Sequence, residues 1–420
     1  MKEKFKEILK DKNFILNTEV LENLKPEYLD ELESALSKHP DFENIKDNYI
    51  IDKQNNTLIQ ILERIPISEV EDLTDEQRFY YPMCNKSEIK RIFNVKNSDD
   101  FLLKYRADQI ADDVRLTRVF LKIRTNSINW NFSNYFDSSF FNNYIETLPN
   151  TEKNKCKEIS FGTIYLKEAN GYCMKTDFGN IIVISFALRY FLYYMNLFHL
   201  GPQYNLNSQD ISNAFLIAVR TMLGTESLDF ELDNRGDIPE ELHLEIESMV
   251  DGQMMFVIGH EFAHHYLDHL EQASLGYLKV TSTDKNTPFY NYSQKRELEA
   301  DYNSVMKPEI PNEERNLIAN GAFTFFIWLD LFKSVKEYIF PPSSLMKSHP
   351  NPIDRIWELR KKLNDEIGVT KEQLLSLVES YKPFKENLIK DLPYQIHIFE
   401  YYGSLYLSSQ KKITHDRLNF

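Results

Sequence analysis

Cysteine and glycine are both scarce in this chain of 420 residues, which contains 3 cysteines and 12 glycines. The cysteines (Cys84, Cys156 and Cys173) are odd in number, far apart and without CxxC spacing. We therefore expect no framework of disulfide bonds, and we expect the protein to reside in a reducing, cytoplasmic compartment. So few glycines also disfavour all-β architectures, which depend on many tight turns.

The chain has no excess of positive charge. Its 49 Lys and Arg residues against 64 Asp and Glu residues give a formal net charge of −15. Because affinity for nucleic acid comes mainly from cations that neutralise phosphates, no nucleic acid partner is expected. Binding to an acidic membrane surface is disfavoured for the same reason. The N-terminal stretch MKEKFKEILKDKNF has no apolar h-region, so it does not resemble a signal peptide.

One apolar stretch, residues 180–200 (NIIVISFALRYFLYYMNLFHL), has the length of a membrane span. Arg189 lies near its centre, where a charge is costly in lipid. The run IIVIS is rich in β-branched residues, which is typical of a buried strand, whereas FALRYFLYYMNLF is typical of a buried helix. We therefore predict a strand followed by a core helix, and contact with a membrane is not expected.

Hydrophobic residues make up 42% of the chain and aromatic residues 13%, which is enough for a sizeable core. The patterns predict an α+β, mainly α-helical fold in two parts. Residues 1–150 are predicted to be a helical N-terminal region of unknown role that includes an amphipathic helix at 5–24, and residues 151–420 a second domain with C-terminal helices. The polar run LPNTEKNKCKE, with Pro149, is the predicted boundary. The runs EISFGTIYL and IIVIS predict a small sheet in the second domain, and FTFFIWLDLF predicts a core helix.

The segment HEFAH, residues 260–264, contains the residue types of a metal site at helical spacing. Positions four apart lie about 40° apart around a helix, so His260 and His264 can bind one metal ion. Glu261 lies beside them, where a carboxylate can take a proton from a zinc-bound water. Extending the helix places His265 and His269 about 140° and 180° from His260, which predicts packing or surface roles for both.

A catalytic zinc site needs a third protein ligand and one open position. The metzincin arrangement would place glycine and histidine where this chain has Leu267 and Leu270, so that class is excluded. The segment RELEAD, residues 296–301, offers a glutamate from a second helix instead. Glu297 and Asp301 are four apart and share one helical face. We predict that Glu297 binds the metal and that Asp301 orients a ligand imidazole from behind.

HEFAH followed by ELEAD resembles the gluzincin metallopeptidases that use HExxH and ExxAD, the type-I CAAX prenyl-protease and HtpX-like clan. A further similarity is KSHPNPIDRI, residues 347–356, which resembles the Ser/Thr-x-His-Pro…Arg-Ile segment of that family. The resemblance covers roughly residues 240–360. Phage-exclusion peptidases of the Lit type are a weaker analogy.

The resemblance implies a zincin-like metallopeptidase domain and a zinc-dependent endopeptidase with one Zn²⁺ per chain and a protein or peptide substrate. Glu261 would be the general base. His349 and Arg355 would reach the active site and hold the substrate backbone or the tetrahedral intermediate. In zinc peptidases an edge strand commonly pairs with extended substrate, and ISFGTIYL is the predicted strand here. The substrate, the cleavage site and the oligomeric state are left open.

Two other functions fit the same residues. A non-catalytic regulatory or interaction protein could bind zinc in a structural site, which would need a fourth protein ligand such as a cysteine or His269. A latent peptidase could be inhibited by its own N-terminal region, in which case removal of residues 1–145 would raise activity.

Overall fold

The computed structural model describes residues 14–21, 24–38, 49–125, 129–166, 171–269, 274–278, 287–291, 293–341, 350–410 and 414–416. The fold is α+β and mainly helical with small sheets, as the sequence predicts. The chain divides into two compact units. One comprises Met1–Phe93 with Ala111–Phe132, and the other comprises Asn94–Ile110 with Ser133–Phe420.

Helices outnumber strands in the part of the chain that the structure describes. In chain order, the strands are β1 (Phe14–Leu21), β2 (Tyr49–Asp52), β3 (Thr57–Pro66), β4 (Ser160–Ile164), β5 (Gly171–Thr176), β6 (Gly179–Ser185), β7 (Ser274–Leu278), β8 (Thr287–Asn291), β9 (Gly403–Leu405) and β10 (Thr414–Asp416). The helices are α1 (Pro26–Ser37), α2 (Ile67–Val70), α3 (Asp75–Arg78), α4 (Lys86–Ile92), α5 (Ser98–Ala111), α6 (Val114–Thr125), α7 (Phe132–Tyr135), α8 (Ser139–Glu146), α9 (Asn150–Lys157), α10 (Phe186–Leu200), α11 (Ser208–Leu223), α12 (Glu240–Tyr266), α13 (Gln294–Met306), α14 (Asn312–Ile339), α15 (Pro352–Lys362) and α16 (Lys371–Glu400).

The first unit contains a three-stranded antiparallel sheet in the order β1-β3-β2. The prediction of an amphipathic helix at 5–24 is wrong for Phe14–Leu21, which forms β1 and pairs along β3. Ile15, Thr18 and Val20 are β-branched and favour extended backbone. The paired residues lie 37 to 52 positions apart along the chain, and a local pattern does not reveal such pairing.

The second unit contains a three-stranded sheet in the order β4-β6-β5. The predicted strands EISFGTIYL and IIVIS are confirmed as β4 and β6, which pair in parallel, while β5 pairs antiparallel with the other side of β6. The central strand β6 is buried along IIVIS and leads directly into α10. Ser185 begins that helix by accepting a 3.1 Å hydrogen bond from the amide of Ala187. Residues 180–200 thus form the predicted strand and core helix.

Long helices form the core of the second unit. Helix α12 packs against α10, α13 and α14, and the predicted core helix FTFFIWLDLF is confirmed within α14. Helices α12 and α14 come closest at Gly252 and Gly321, where a Cβ on Gly321 would lie 2.5 Å from the Gly252 carbonyl carbon. Only glycine permits so close an approach of the two backbones.

The predicted boundary at residue 150 falls inside the second unit. The polar run at 148–158 forms helix α9. The preceding helix α8 packs on α12, since Tyr144 stacks on Phe262 with 6.0 Å between ring centroids and 2° between planes. Apolar side chains of α8 therefore join it to the core of the second unit.

One helix of the described residues, Asn312–Ile339, is long and apolar enough to cross a membrane by length and composition alone. Within the fold, 72% of its apolar stretch of 18 residues is buried. A core helix of a globular protein has the same features, so the helix carries no conclusion about a membrane.

Candidate metal centre

The HEFAH segment lies in the last two turns of α12 and is buried. The exposed fractions of His260, Glu261 and His264 are 7%, 8% and 1%. Gly259 allows this helix to pack under the ring of Tyr144, because a Cβ at Gly259 would lie 2.6 Å from ring atoms. The helix therefore presents its imidazoles from a fixed position in the core.

Three donor side chains converge from α12 and α13. The Nε2 atoms of His260 and His264 lie 3.0 Å apart. The carboxylate of Glu297 lies 3.6 Å from His260 Nε2 and 3.4 Å from His264 Nε2. The two distances to Glu297 are to its two different oxygens, Oε2 and Oε1. Ligands of a tetrahedral zinc ion at ~2.0–2.1 Å lie about 3.3 Å apart, so the three side chains are spaced as zinc ligands would be. Among the described residues, these are the three side chains grouped as a possible metal site.

The charges around the site also fit a divalent cation. Three carboxylates, those of Glu261, Glu297 and Asp301, are 8% exposed or less, and one guanidinium, that of Arg355, is 6% exposed. With neutral imidazoles, as metal ligands require, and with all three carboxyl groups in their charged form, the formal negative charges of these four groups exceed the positive ones by two. Buried charge is costly unless compensated, and two imidazoles with one carboxylate are a zinc ligand set.

Asp301 and Arg355 lie behind His260. Asp301 Oδ1 is 2.9 Å from His260 Nδ1, although the ring is not aligned for an ideal hydrogen bond. Arg355 donates to both oxygens of Asp301, at 2.8 Å from Nε and 2.5 Å from Nη2. Its Nη2 is also 3.7 Å from the Glu297 carboxylate. A fork of this kind fixes the orientation of a carboxylate, so Arg355 fixes Asp301, and Asp301 in turn contacts the imidazole of His260.

His269 lies behind His264, contrary to the prediction that it points away from the metal face. The Nδ1 atoms of His264 and His269 are 3.0 Å apart, and His269 is 5% exposed. The prediction was wrong because it extended the helix to residue 269. The helix ends at Tyr266, and Asp268, with φ of 57°, turns the chain back. His265 does pack away from the site, with Nε2 3.1 Å from the Lys155 carbonyl oxygen.

The pKa values of the two imidazoles shift in opposite directions. Burial lowers the pKa of His264 to about 3. Burial acts to lower the pKa of His260, but the close contact with the Asp301 carboxylate and the charges of Asp301 and Glu297 outweigh it, so the pKa is raised overall. Burial acts to raise the pKa of Asp301, and Arg355 and His260 lower it overall. Asp301 is therefore an ionised carboxylate behind His260 at neutral pH.

Glu261 faces the sheet of the second unit at strand β5. A Cβ on Gly171 would lie 3.0 Å from Glu261 Oε1, so glycine lets the strand approach the carboxylate. Burial raises the pKa of the Cys173 thiol on the same strand, and the nearby charge of Glu261 adds to this effect. The predicted substrate-pairing segment ISFGTIYL forms β4, at the opposite edge of the sheet. The edge strand beside Glu261 is β5.

The remaining predicted site residues have different outcomes. His349 lies outside the described residues. Arg355 lies in the first turn of α15 and contacts Asp301, and its role in holding substrate stays a prediction. Sequence reasoning missed His269 and β5. The signal for His269 was an aspartate at 268, a residue type that tolerates left-handed backbone and so can end a helix.

The arrangement offers two imidazoles and a carboxylate for one metal ion. Glu261, one residue from His260 on the same helix, is buried against β5. Two imidazoles and a carboxylate can bind zinc, and a carboxylate close to bound zinc can transfer a proton. Comparisons of the chain with protein-family profiles, with curated proteins and with solved structures find no match in any of the three.

Proposed function

We propose that the protein is a zinc-dependent peptidase that hydrolyses peptide bonds of a protein or peptide substrate. The observation that carries the proposal is the convergence of His260, His264 and Glu297, with Glu261 one residue from the first ligand. Two of these residues come from α12 and one from α13, so the site forms only in the folded chain.

The proposed residues divide the work of hydrolysis. Bound zinc would polarise the substrate carbonyl and lower the pKa of a water molecule. Glu261 would accept the proton of the attacking water at its carboxylate. It would then deliver this proton to the amine nitrogen as the carbon–nitrogen bond breaks, so that one water is consumed for each bond. Asp301 and Arg355 would orient His260 throughout.

The burial of Glu261 supports a catalytic role for this carboxylate. Glu261 is 8% exposed and packs against β5, so few water molecules compete for its carboxylate oxygens. A carboxylate in such a place is an effective base, because it exchanges protons with a bound water and not with bulk solvent. A structural zinc site needs no carboxylate of this kind.

The geometry favours this function over a structural zinc site, which would need a fourth protein ligand. His269 is not in the position of a fourth ligand. It contacts Nδ1 of His264, whereas Nε2 of the same ring faces His260 and Glu297. The described cysteines are not members of the donor group either.

The first experiment measures the zinc content of the purified wild type, Glu297→Ala and Glu261→Gln. We expect about one zinc per chain in the wild type and in Glu261→Gln, and loss of zinc in Glu297→Ala, because a three-ligand site does not survive removal of one ligand. A wild type without zinc, or a Glu297→Ala variant with full zinc, would refute the proposed site.

The second experiment tests hydrolysis itself. Wild type and Glu261→Gln are incubated with a library of randomised peptides, and new N-termini are identified by mass spectrometry. Cleavage by the wild type and a rate about 10²–10⁴-fold lower in Glu261→Gln support the general-base role. Equal cleavage by the two proteins contradicts it. Zinc binding without any cleavage, in the wild type as in the variant, would favour the regulatory protein.

A further inference from the structure

His264 and His269 are both buried, and their imidazoles contact each other through the Nδ1 atom of each ring. Their Nδ1 atoms lie 3.0 Å apart. At this distance one nitrogen carries a hydrogen and donates, and the other accepts. The direction of this hydrogen bond decides which nitrogen of each ring is protonated.

The metal site fixes that direction, provided that the proposed function is correct and His264 binds zinc. His264 Nε2 faces His260 and Glu297 and needs its lone pair for the metal. A neutral His264 then carries its hydrogen on Nδ1, and His269 Nδ1 must accept it. His269 consequently carries its own hydrogen on Nε2, which is 3.6 Å from the carboxylate of Glu299.

We propose that His269 is a positioning residue of the metal centre, which fixes the tautomer and ring orientation of His264 by accepting a hydrogen bond from its Nδ1. His264 is 1% exposed, so water has little access to replace this acceptor. His269 is itself buried and is brought into place by the turn at Asp268.

This proposal gives each ligand imidazole its own support, and the two supports differ. His260 is backed by the ionised Asp301, whereas His264 is backed by a neutral imidazole. Helix α13 contributes to both, since it carries Asp301 and also Glu299, which faces His269. An ionised carboxylate behind a ligand raises its basicity, and a neutral acceptor mainly fixes its orientation.

The test compares two substitutions at one position. His269→Leu removes the acceptor and retains apolar bulk, whereas Asn in His269→Asn can place an oxygen close to where Nδ1 lies. His265→Leu is the matched control, because His265 is a neighbouring histidine whose hydrogen bond goes to Lys155. Zinc affinity is measured in the full chain by competition with a chelator, together with the visible spectrum of the cobalt-substituted protein.

We expect His269→Leu to weaken zinc binding about 10–100-fold and to change the cobalt spectrum. His269→Asn should bind within about threefold of the wild type, and so should His265→Leu. Thermal unfolding of the zinc-free proteins provides the check on folding. Rescue by asparagine separates the loss of a hydrogen-bond acceptor from a loss of packing, which both substitutions would cause.

The results also separate this proposal from the proposed function. A wild type that binds zinc, with His269→Leu binding it equally well, overturns the role of His269 and leaves the zinc site intact. Equal losses in His269→Leu and His269→Asn overturn it as well, because the hydrogen bond is then not what matters. A wild type that binds no zinc overturns the proposed function first, and this inference with it.

Discussion

Two buried glutamates of the second unit are surrounded in different ways. The carboxylate of Glu226 accepts hydrogen bonds from Arg220 and Arg235, each at 2.9 Å, and from the amide of Leu405 at 3.2 Å. The carboxylate of Glu297 faces two imidazole nitrogens and lies 3.7 Å from an arginine that is already paired with Asp301. Both side chains are fully buried.

The difference lies in what supplies the positive charge. Guanidinium groups are permanently charged, so the cluster at Glu226 is complete within the protein chain. Neutral imidazoles that present lone pairs carry no charge, so under the proposed function a bound metal ion supplies the positive charge at Glu297. Equal burial thus accompanies a structural ion cluster in one place and the proposed metal site in the other, and the type of cationic partner distinguishes them.

The largest expected effect is on stability. Glu226→Gln removes the charge that Arg220 and Arg235 share. It should lower the free energy of unfolding by about 3–5 kcal/mol, because buried Arg220 loses its carboxylate partner while Arg235 keeps Asp229. Glu297→Gln in zinc-free protein should change it by less than about 1 kcal/mol, since it removes part of the excess negative charge of that cluster. Urea denaturation measures both. Equal losses in the two variants would abolish the distinction between the clusters.

Bound zinc should stabilise the folded protein, and this stabilisation should depend on Glu297 and not on Glu226. At a free zinc concentration 1,000 times the dissociation constant, the wild type should gain about 4 kcal/mol in unfolding free energy. Glu226→Gln should keep this gain, and Glu297→Gln should lose it. Urea titrations with and without zinc provide the measurement. A gain retained in Glu297→Gln would place the zinc elsewhere.

The third prediction concerns pH in the zinc-free protein. Burial lowers the pKa of folded His264 to about 3, whereas the unfolded residue titrates near 6.5. Only the unfolded chain takes up this proton between these values, so the unfolding free energy falls as pH falls, by about 1.5 kcal/mol between pH 6.5 and 5. The stabilising contribution of His260, whose pKa is raised, is constant below about pH 6.5.

The control for this prediction is His264→Asn, which should remove that part of the pH dependence. The guanidiniums around Glu226 do not titrate in this range, so the first cluster should not contribute. An unchanged slope in His264→Asn would show that other groups, such as the partly buried His199, cause the effect.

The smallest expected effect comes from Arg355→Lys. A lysine keeps the charge near Asp301 and Glu297 but cannot donate to both oxygens of Asp301 as the arginine does. Zinc affinity should fall about tenfold, as is usual when the support of a ligand is weakened. Chelator competition measures it. A loss of peptide hydrolysis with unchanged zinc affinity would instead support the substrate-holding role that the sequence suggested.

Predictions from the sequence were most accurate where a local pattern of residues directly determines the structure. The spacing of His260 and His264 predicted their common helical face, and β-branched IIVIS predicted a buried strand. The predictions failed where a local pattern stops or is overridden. At Asp268 the helix has already ended, and along Phe14–Leu21 strand pairing overrides a helical pattern. The approach of β5 to Glu261 depends on packing between distant segments, which no local pattern encodes.

The contact between Gly252 and Gly321 has a consequence for how this protein can change over evolutionary time. Position 321 lies where any Cβ would meet the backbone of the helix that carries the proposed metal ligands His260 and His264. Every replacement of glycine adds at least this atom, so no mild substitution exists at that position. A mutation there displaces the helix or is lost. We therefore expect the spacing between α12 and α14 to change very slowly in evolution, even though neither glycine is part of the candidate metal centre.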